Sequence, residues 1–342
     1  MVLAVVGAGL YVNQIGLPEF IKRPLLEQLR QRGVQIEFTR LRLLWYRGIV
    51  AEQVRFGSAQ ASNAPSLTAR QAELELDWRA ALQGRLQVES VSLQGGHFEW
   101  PLAESNTPPR PLALNDLQAR LRLLPDDEWV LEEFRARFAG ANLFLSGTIT
   151  NASALRDWPF LRPPAGSAEE PPTRAPAPGT ARHRLRQLAE AIERISFGTP
   201  PELRLHLTGD ARDLQTFALR GTIAAPDATT PWGRVIGGLF KVRLLAATEE
   251  TPSRAEITLA ATEARTPWAE AEQLVLELKL DPVGGHTNQV AGELAARSAR
   301  VQTRWATATN ADFTARWIHS LTRPIPLSGK GELRAAAAST PW

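Results

Sequence analysis

Four tryptophans, Trp232, Trp268, Trp305 and Trp342, lie 36, 37 and 37 residues apart, and three of them close the tripeptide Thr-Pro-Trp. The remaining one ends Thr303-Arg304-Trp305. Self-similarity at a fixed period of this length marks a repeat architecture. After each tryptophan the chain runs through an alternating segment such as 274–280, turns at Gly or Pro, and returns through a second segment such as 290–294. One repeat therefore reads as a two-strand hairpin, and two strands advance a sheet by about 10 Å. Such a chain grows along one axis and works through an extended surface.

Upstream of the repeats the same period of two recurs. It is seen at 34–38, 49–56, 72–78 and 117–123, and further strands are expected at 85–100, 129–138, 141–150, 203–207 and 217–223. Strict alternation implies sheets with one apolar and one polar face. Two segments break this rhythm with helical spacing. In the first, Pro18 opens a stripe of Phe20, Ile21, Leu25, Leu26 and Leu29; in the second, Leu185, Leu188, Ile192 and Ile195 share a face. Residues 158–181 are rich in proline and alanine and read as a linker.

About fifteen strands and only two short helices pose a covering problem, because a long one-sided sheet must shield its apolar face. A sandwich, a closed barrel and an open trough are the available solutions. Growth hairpin by hairpin favours the trough, since each unit contacts mainly its neighbours. A membrane barrel has alternating strands as well, but two tyrosines make thin aromatic girdles. The fold expected is thus mainly β: a long, twisted, open antiparallel groove of hairpin repeats with a short N-terminal helix and one or two amphipathic helices. Leu74, Leu76, Leu121, Leu123, Leu203, Leu205, Leu274, Leu276 and Leu278 are the residues expected to line it.

Other chemistry finds little support. The chain has no cysteine, so disulfides and thiolate metal sites are excluded. Five histidines (His97, His183, His206, His286, His319) show no paired ligand spacing, and Asp126-Asp127-Glu128 reads as a solvated turn. No nucleophile-elbow motif occurs, and Gly95-Gly96, Gly237-Gly238 and Gly284-Gly285 lack a phosphate-loop frame and suit turns or bulges. No enzyme activity, catalytic residue, metal or cofactor is expected. A net charge of +3 with interleaved signs offers no stripe for nucleic acid. Residues 1–12 are uncharged and almost wholly apolar. A spanning helix needs about 20 such residues, so they read either as a buried first strand or helix, or, the preferred expectation, as the tail of a membrane anchor that begins before this chain.

Gly16-Leu17-Pro18-Glu19-Phe20 after an apolar segment resembles the amino-terminal region of AsmA-like proteins. The resemblance continues through Val34-Gln35-Ile36-Glu37-Phe38, then Tyr46-Arg47-Gly48-Ile49-Val50-Ala51-Glu52-Gln53-Val54, and the strand-then-glycine element 86–96. It covers roughly residues 1–150. It implies a periplasmic protein anchored in the inner membrane of a Gram-negative bacterium, with a taco-shaped groove that moves phospholipid between inner and outer membranes. The organisation implied is a partial anchor (1–15), an AsmA-like helix and start of the groove (16–157), the linker (158–181), an amphipathic helix (182–197) and the tryptophan-marked groove (198–342). Both ends look cut, so a fragment of a longer chain is expected.

The tryptophans carry two readings. One places them at a groove rim near lipid head groups, where an amphipathic ring suits a wet-dry boundary. The other, preferred from sequence, makes Trp232, Trp268, Trp305 and Trp342 packing anchors that lock one hairpin onto the next. Two functions follow: a lipid-handling groove with phospholipid as its partner, or an assembly scaffold that captures outer-membrane or envelope proteins by strand addition.

Overall fold

A computed structural model describes residues 36–44, 48–57, 66–77, 88–104, 107–158, 194–248, 251–284, 289–320 and 326–340. The chain divides into two compact units, residues 1–139 with 145–189 and residues 140–144 with 190–342. Among the described residues regular structure is almost entirely β, with two short 3-10 turns at Pro125–Asp127 and Ala152–Asp157.

The first unit holds β1 (Ile36–Glu37), β2 (Arg40–Leu44), β3 (Gly48–Phe56), β4 (Ser66–Leu76), β5 (Val88–Glu104), β6 (Thr107–Leu124) and β7 (Glu128–Phe138). From β2 to β7 every strand pairs antiparallel with the next in sequence. β8 (Ala141–Thr150) follows a tight turn at Ala139-Gly140, where both φ angles are positive.

The second unit holds β9 (Ser196–Phe197), β10 (Glu202–Asp210), β11 (Asp213–Thr230), β12 (Gly233–Leu245), β13 (Arg254–Arg265), β14 (Ala269–Pro282), β15 (Gln289–Thr303), β16 (Thr307–Ser320), β17 (Pro326–Arg334) and β18 (Ala337–Ser339). Here too β10 to β17 is an unbroken antiparallel meander, with β18 beside β16. No pairing among the described residues joins β10 back to β17 or β18, so the sheet is open. The tryptophan period therefore measures one hairpin: β12–β13, then β14–β15, then β16–β17.

Several strands are longer than their alternating segments, for one physical reason. Gly237, Gln273 and Asn310 have left-handed φ of 63°, 50° and 47° in the middles of β12, β14 and β16. Flanking pairs such as Glu263↔Glu272 and Ala261↔Leu274, then Glu272↔Arg300, then Arg300↔Thr309 and Ser298↔Ala311, place these residues on one line across the sheet. A left-handed residue inside a strand turns successive side chains to the same face, as in a glycine bulge. The apolar phase accordingly shifts: Ala269 and Ala271 precede Gln273, whereas Leu274, Leu276, Leu278 and Leu280 follow it. Period-two reading stops at such a break although the strand continues. Pro226, which lacks an N–H, falls on the same line, between the pairs Ala225↔Gly238 and Asp227↔Ile236. The buried Ser298 hydroxyl lies 2.7 Å from the Glu272 carbonyl and 2.8 Å from that of Arg300, compensating the interrupted ladder. In the first unit Gln53, Gly95 and Asp116 interrupt β3, β5 and β6 in the same way.

The expected helix over 182–197 is corrected at its end. Ser196 and Phe197 form β9 against Thr229 and Ala228 of β11, because Gly198 donates its N–H to the Asp227 carbonyl and Pro200-Pro201 then prevents helical continuation. Residues 182–193, the helix expected after Pro18, the anchor over 1–15 and nearly all of the linker lie outside the described residues. No helix among the described residues is long and apolar enough to cross a membrane.

Candidate functional site

Register turns the alternating leucines into continuous rows. In the second unit Leu203, Ile223, Phe240, Leu259, Leu276, Ala296, Phe313 and Leu333 are successive cross-strand partners from β10 to β17. A second row runs Leu205, Gly221, Val242, Ile257, Leu278, Leu294, Ala315 and Gly331. Leu207, Leu219, Leu244, Ala255, Leu280, Gly292, Trp317 and Gly329 form a third. Between them lie polar rows, such as Arg204, Thr222, Lys241, Thr258 and Glu277. Because side chains alternate across a strand, polar and apolar rows occupy opposite faces. The polar face carries exposed ion pairs, including Arg316–Glu293 at 2.9 Å and Arg297–Asp312 at 3.6 Å.

The glycines on the apolar face make room for large neighbours. A Cβ on Gly292 would fall 2.5 Å from the Trp317 ring, and one on Gly221 would fall 2.6 Å from Val242 and 3.0 Å from Leu205. Trp317 therefore lies over bare backbone of β15, and its indole N–H donates to His319 Nδ1 at 3.2 Å. Sequence reading missed Trp317, Phe240 and Phe313 as part of this face. Their signal was present: each occupies the apolar phase of its strand, with Trp317 opposite Gly292 and Gly329, Phe313 opposite Ala296, and Phe240 opposite Ile223 and Leu259.

In the first unit, Ile49, Leu74, Val91, Leu121 and Leu131 make a comparable row from β3 to β7. Leu76 pairs with Val88 and Leu123 with Trp129. The opposite face holds a charged network in which Arg120 approaches Glu75 (3.4 Å) and Glu132 (3.3 Å), and Arg122 bonds Glu132 (3.2 Å). Ser90, the most completely buried side chain in this face, donates to Glu75 Oε2 at 2.6 Å.

The nine expected leucines are thus placed as follows. Leu74 and Leu121 share a row in the first unit, with Leu76 and Leu123 in the adjoining pairs; Leu203 shares a row with Leu276, Leu205 with Leu278, and Leu274 faces Ala261. All nine are half-buried. So is every member of the Leu203 row up to Phe313, while Leu333 is exposed. A residue inside a sandwich or a filled barrel loses nearly all its exposure. These side chains touch their neighbours in the sheet but have no covering layer among the described residues.

The tryptophans sit elsewhere. Trp232, Trp268 and Trp305 occupy the turns joining β11 to β12, β13 to β14 and β15 to β16. In each turn the threonine two residues earlier accepts the tryptophan N–H on its Oγ1, at 3.2, 3.3 and 3.2 Å, and its hydroxyl donates to the carbonyl three residues ahead. Their exposures of 69, 64 and 48% do not fit packing anchors wedged between hairpins. The Thr-Pro-Trp repeat specifies a turn, and threonine does the fastening. Trp342 lies outside the described residues.

Three acid–base pairs lie at this end of the strands. Arg234 binds Asp227 through two bonds of 2.9 and 2.7 Å, holding the Asp227 carboxyl below its ordinary pKa and raising that of Arg234. Arg265 bonds Glu263, and Arg300 approaches Glu272 at 4.0 Å. Asp127, in the carboxylate cluster read as a turn, accepts bonds from the Ser153 N–H and hydroxyl. No group of three or more potential metal ligands occurs among the described residues.

Comparison with known proteins returns no matching family model, curated sequence or solved structure.

Proposed function

We propose that this protein is a lipid-handling protein whose apolar sheet face is the floor of a curved groove that shields phospholipid acyl chains. The observation that carries this reading is the set of continuous apolar rows across β10–β17 whose side chains stay half-exposed. An acyl chain laid on such a floor leaves water at about 0.8 kcal/mol per buried CH₂, while its head group stays at the polar rim. Leu74, Leu76, Leu121, Leu123, Leu203, Leu205, Leu274, Leu276 and Leu278 are assigned as lining residues. The resemblance of residues 1–150 to AsmA-like proteins adds the setting: the periplasmic side of a Gram-negative inner membrane, with phospholipid moving toward the outer membrane. The work is done by surface and shape, with no catalytic step.

Lipid extraction of the purified protein, read by mass spectrometry, tests the reading. Phospholipid recovered with the wild-type chain and reduced about tenfold in Leu276→Asp, with the fold retained by circular dichroism, is the expected result, since one buried charge opposes several CH₂ contacts. Absence of phospholipid from the wild-type chain overturns the reading and leaves capture of envelope proteins by strand addition. Unfolding of Leu276→Asp overturns it as well, because it assigns that leucine to a protein core.

A further inference from the structure

The hairpin tips are a second surface, distinct from the apolar face. Trp232, Trp268 and Trp305 lie at the same end of consecutive hairpins, so their turns are spaced about 10 Å apart along one edge of the second unit. All three turns use the same threonine hydrogen bonds, so the geometry that presents each indole is repeated. None of the three indole nitrogens makes a hydrogen bond among the described residues, in contrast to Trp317. Three amphipathic rings are therefore held outward, each with an apolar body and a free donor.

We propose that this tip edge docks onto a zwitterionic phospholipid bilayer, with Trp232, Trp268 and Trp305 seated at head-group level. Indole rings concentrate at that level because it is apolar on one side and hydrogen-bonding on the other. A protein partner would favour a contiguous buried patch, whereas these rings are separated by two strands each and suit separate insertion between head groups. The charges beside them decide the class of bilayer. Asp227, Glu263 and Glu272 are neutralised by Arg234, Arg265 and Arg300. Glu270 and Arg304 complete a balance of four acids and four bases between residues 227 and 305 at the three tips. An edge without net charge has no preference for anionic lipid. Arg304 lies 4.1 Å over the Trp305 ring and makes no ion pair among the described residues, which leaves its guanidinium free for a phosphate.

This inference stands on the tips and not on what the apolar face carries, and the experiment keeps the two apart. The full chain is mixed with phosphatidylcholine vesicles bearing brominated acyl chains, and tryptophan emission is compared with that of a Trp232→Ala, Trp268→Ala, Trp305→Ala triple variant. Bromolipid quenching of the wild type, unchanged by high salt and reduced at least about fivefold in the triple variant, is expected for interfacial indoles. The three single variants, each losing part of the quenched signal, serve if the triple variant does not fold. No quenching of the wild type, equal quenching of the variants, or a requirement for anionic lipid overturns the proposal. Co-purifying phospholipid should be unchanged in the variants, so failure here leaves the groove reading standing.

Discussion

Two tryptophan environments in the second unit show what the 37-residue period encodes. Trp317 lies mid-strand over Gly292 with its indole nitrogen bonded to His319, as part of an apolar row. Trp232, Trp268 and Trp305 stand in turns, exposed, each with its backbone N–H donating to a threonine hydroxyl. The first kind builds a face; the second kind decorates an edge. The period visible in the sequence belongs to the edge. Along the face, position 317 is matched by Gly292, Leu280 and Ala255, which share apolar character and no identity.

The sharpest way to break this contrast is to fill the space under Trp317. Gly292→Leu places side-chain atoms where the ring lies, and forced overpacking costs about 1–3 kcal/mol. Urea unfolding should show that loss, with no change at the tips; an unshifted midpoint would mean that Trp317 moves aside without cost. A smaller effect is expected at the edge. Thr266→Val keeps the shape but removes the hydroxyl that serves the Trp268 and Ala269 N–H groups. A net loss of about 0.5–1.5 kcal/mol follows for such bonds, and an identical melting temperature would show that the backbone alone holds the turn.

The smallest effect is the acid response of Asp227. Its carboxyl is held below the ordinary value by the Arg234 hydrogen bond, so the pair stabilises the fold above the unfolded pKa of about 4 and loses that contribution as pH falls through the depressed folded value. Asp227→Asn should flatten the stability profile below about pH 4 and leave Trp317 and the apolar rows untouched. A carbon-13 titration placing the Asp227 carboxyl above its ordinary value would refute the pairing.

Much of the architecture was legible in the residues themselves. Alternation located most strands, Thr-Pro-Trp located two turns and Thr-Arg-Trp a third, and Gly95-Gly96 and Gly237-Gly238 marked interruptions, since Gly95 and Gly237 have φ of 61° and 63°. Other interruptions were hidden. Gln53, Asp116, Gln273 and Asn310 adopt left-handed φ without being glycine, and nothing in a single strand announces this. Reading by period consequently stopped at 274 where β14 begins at Ala269, and at 117 where β6 begins at Thr107. The packing-anchor reading does not fit Trp232, Trp268 and Trp305, which stay exposed: a proline or arginine before each and a small residue after it leave the indole outside the sheet.

By itself, the sequence determined which side chains share a strand face, because the period of two is local and needs no partner. It also determined the hairpin as the unit of growth. Only the tertiary structure decided that three separate leucine patterns join into continuous rows, since register is a property of pairs of strands. It alone showed that the left-handed residues fall on one line. The physical reason is the same in both cases: a phase reversal in one strand costs hydrogen bonds unless its neighbours reverse at the same height, and that agreement exists only once the strands are side by side.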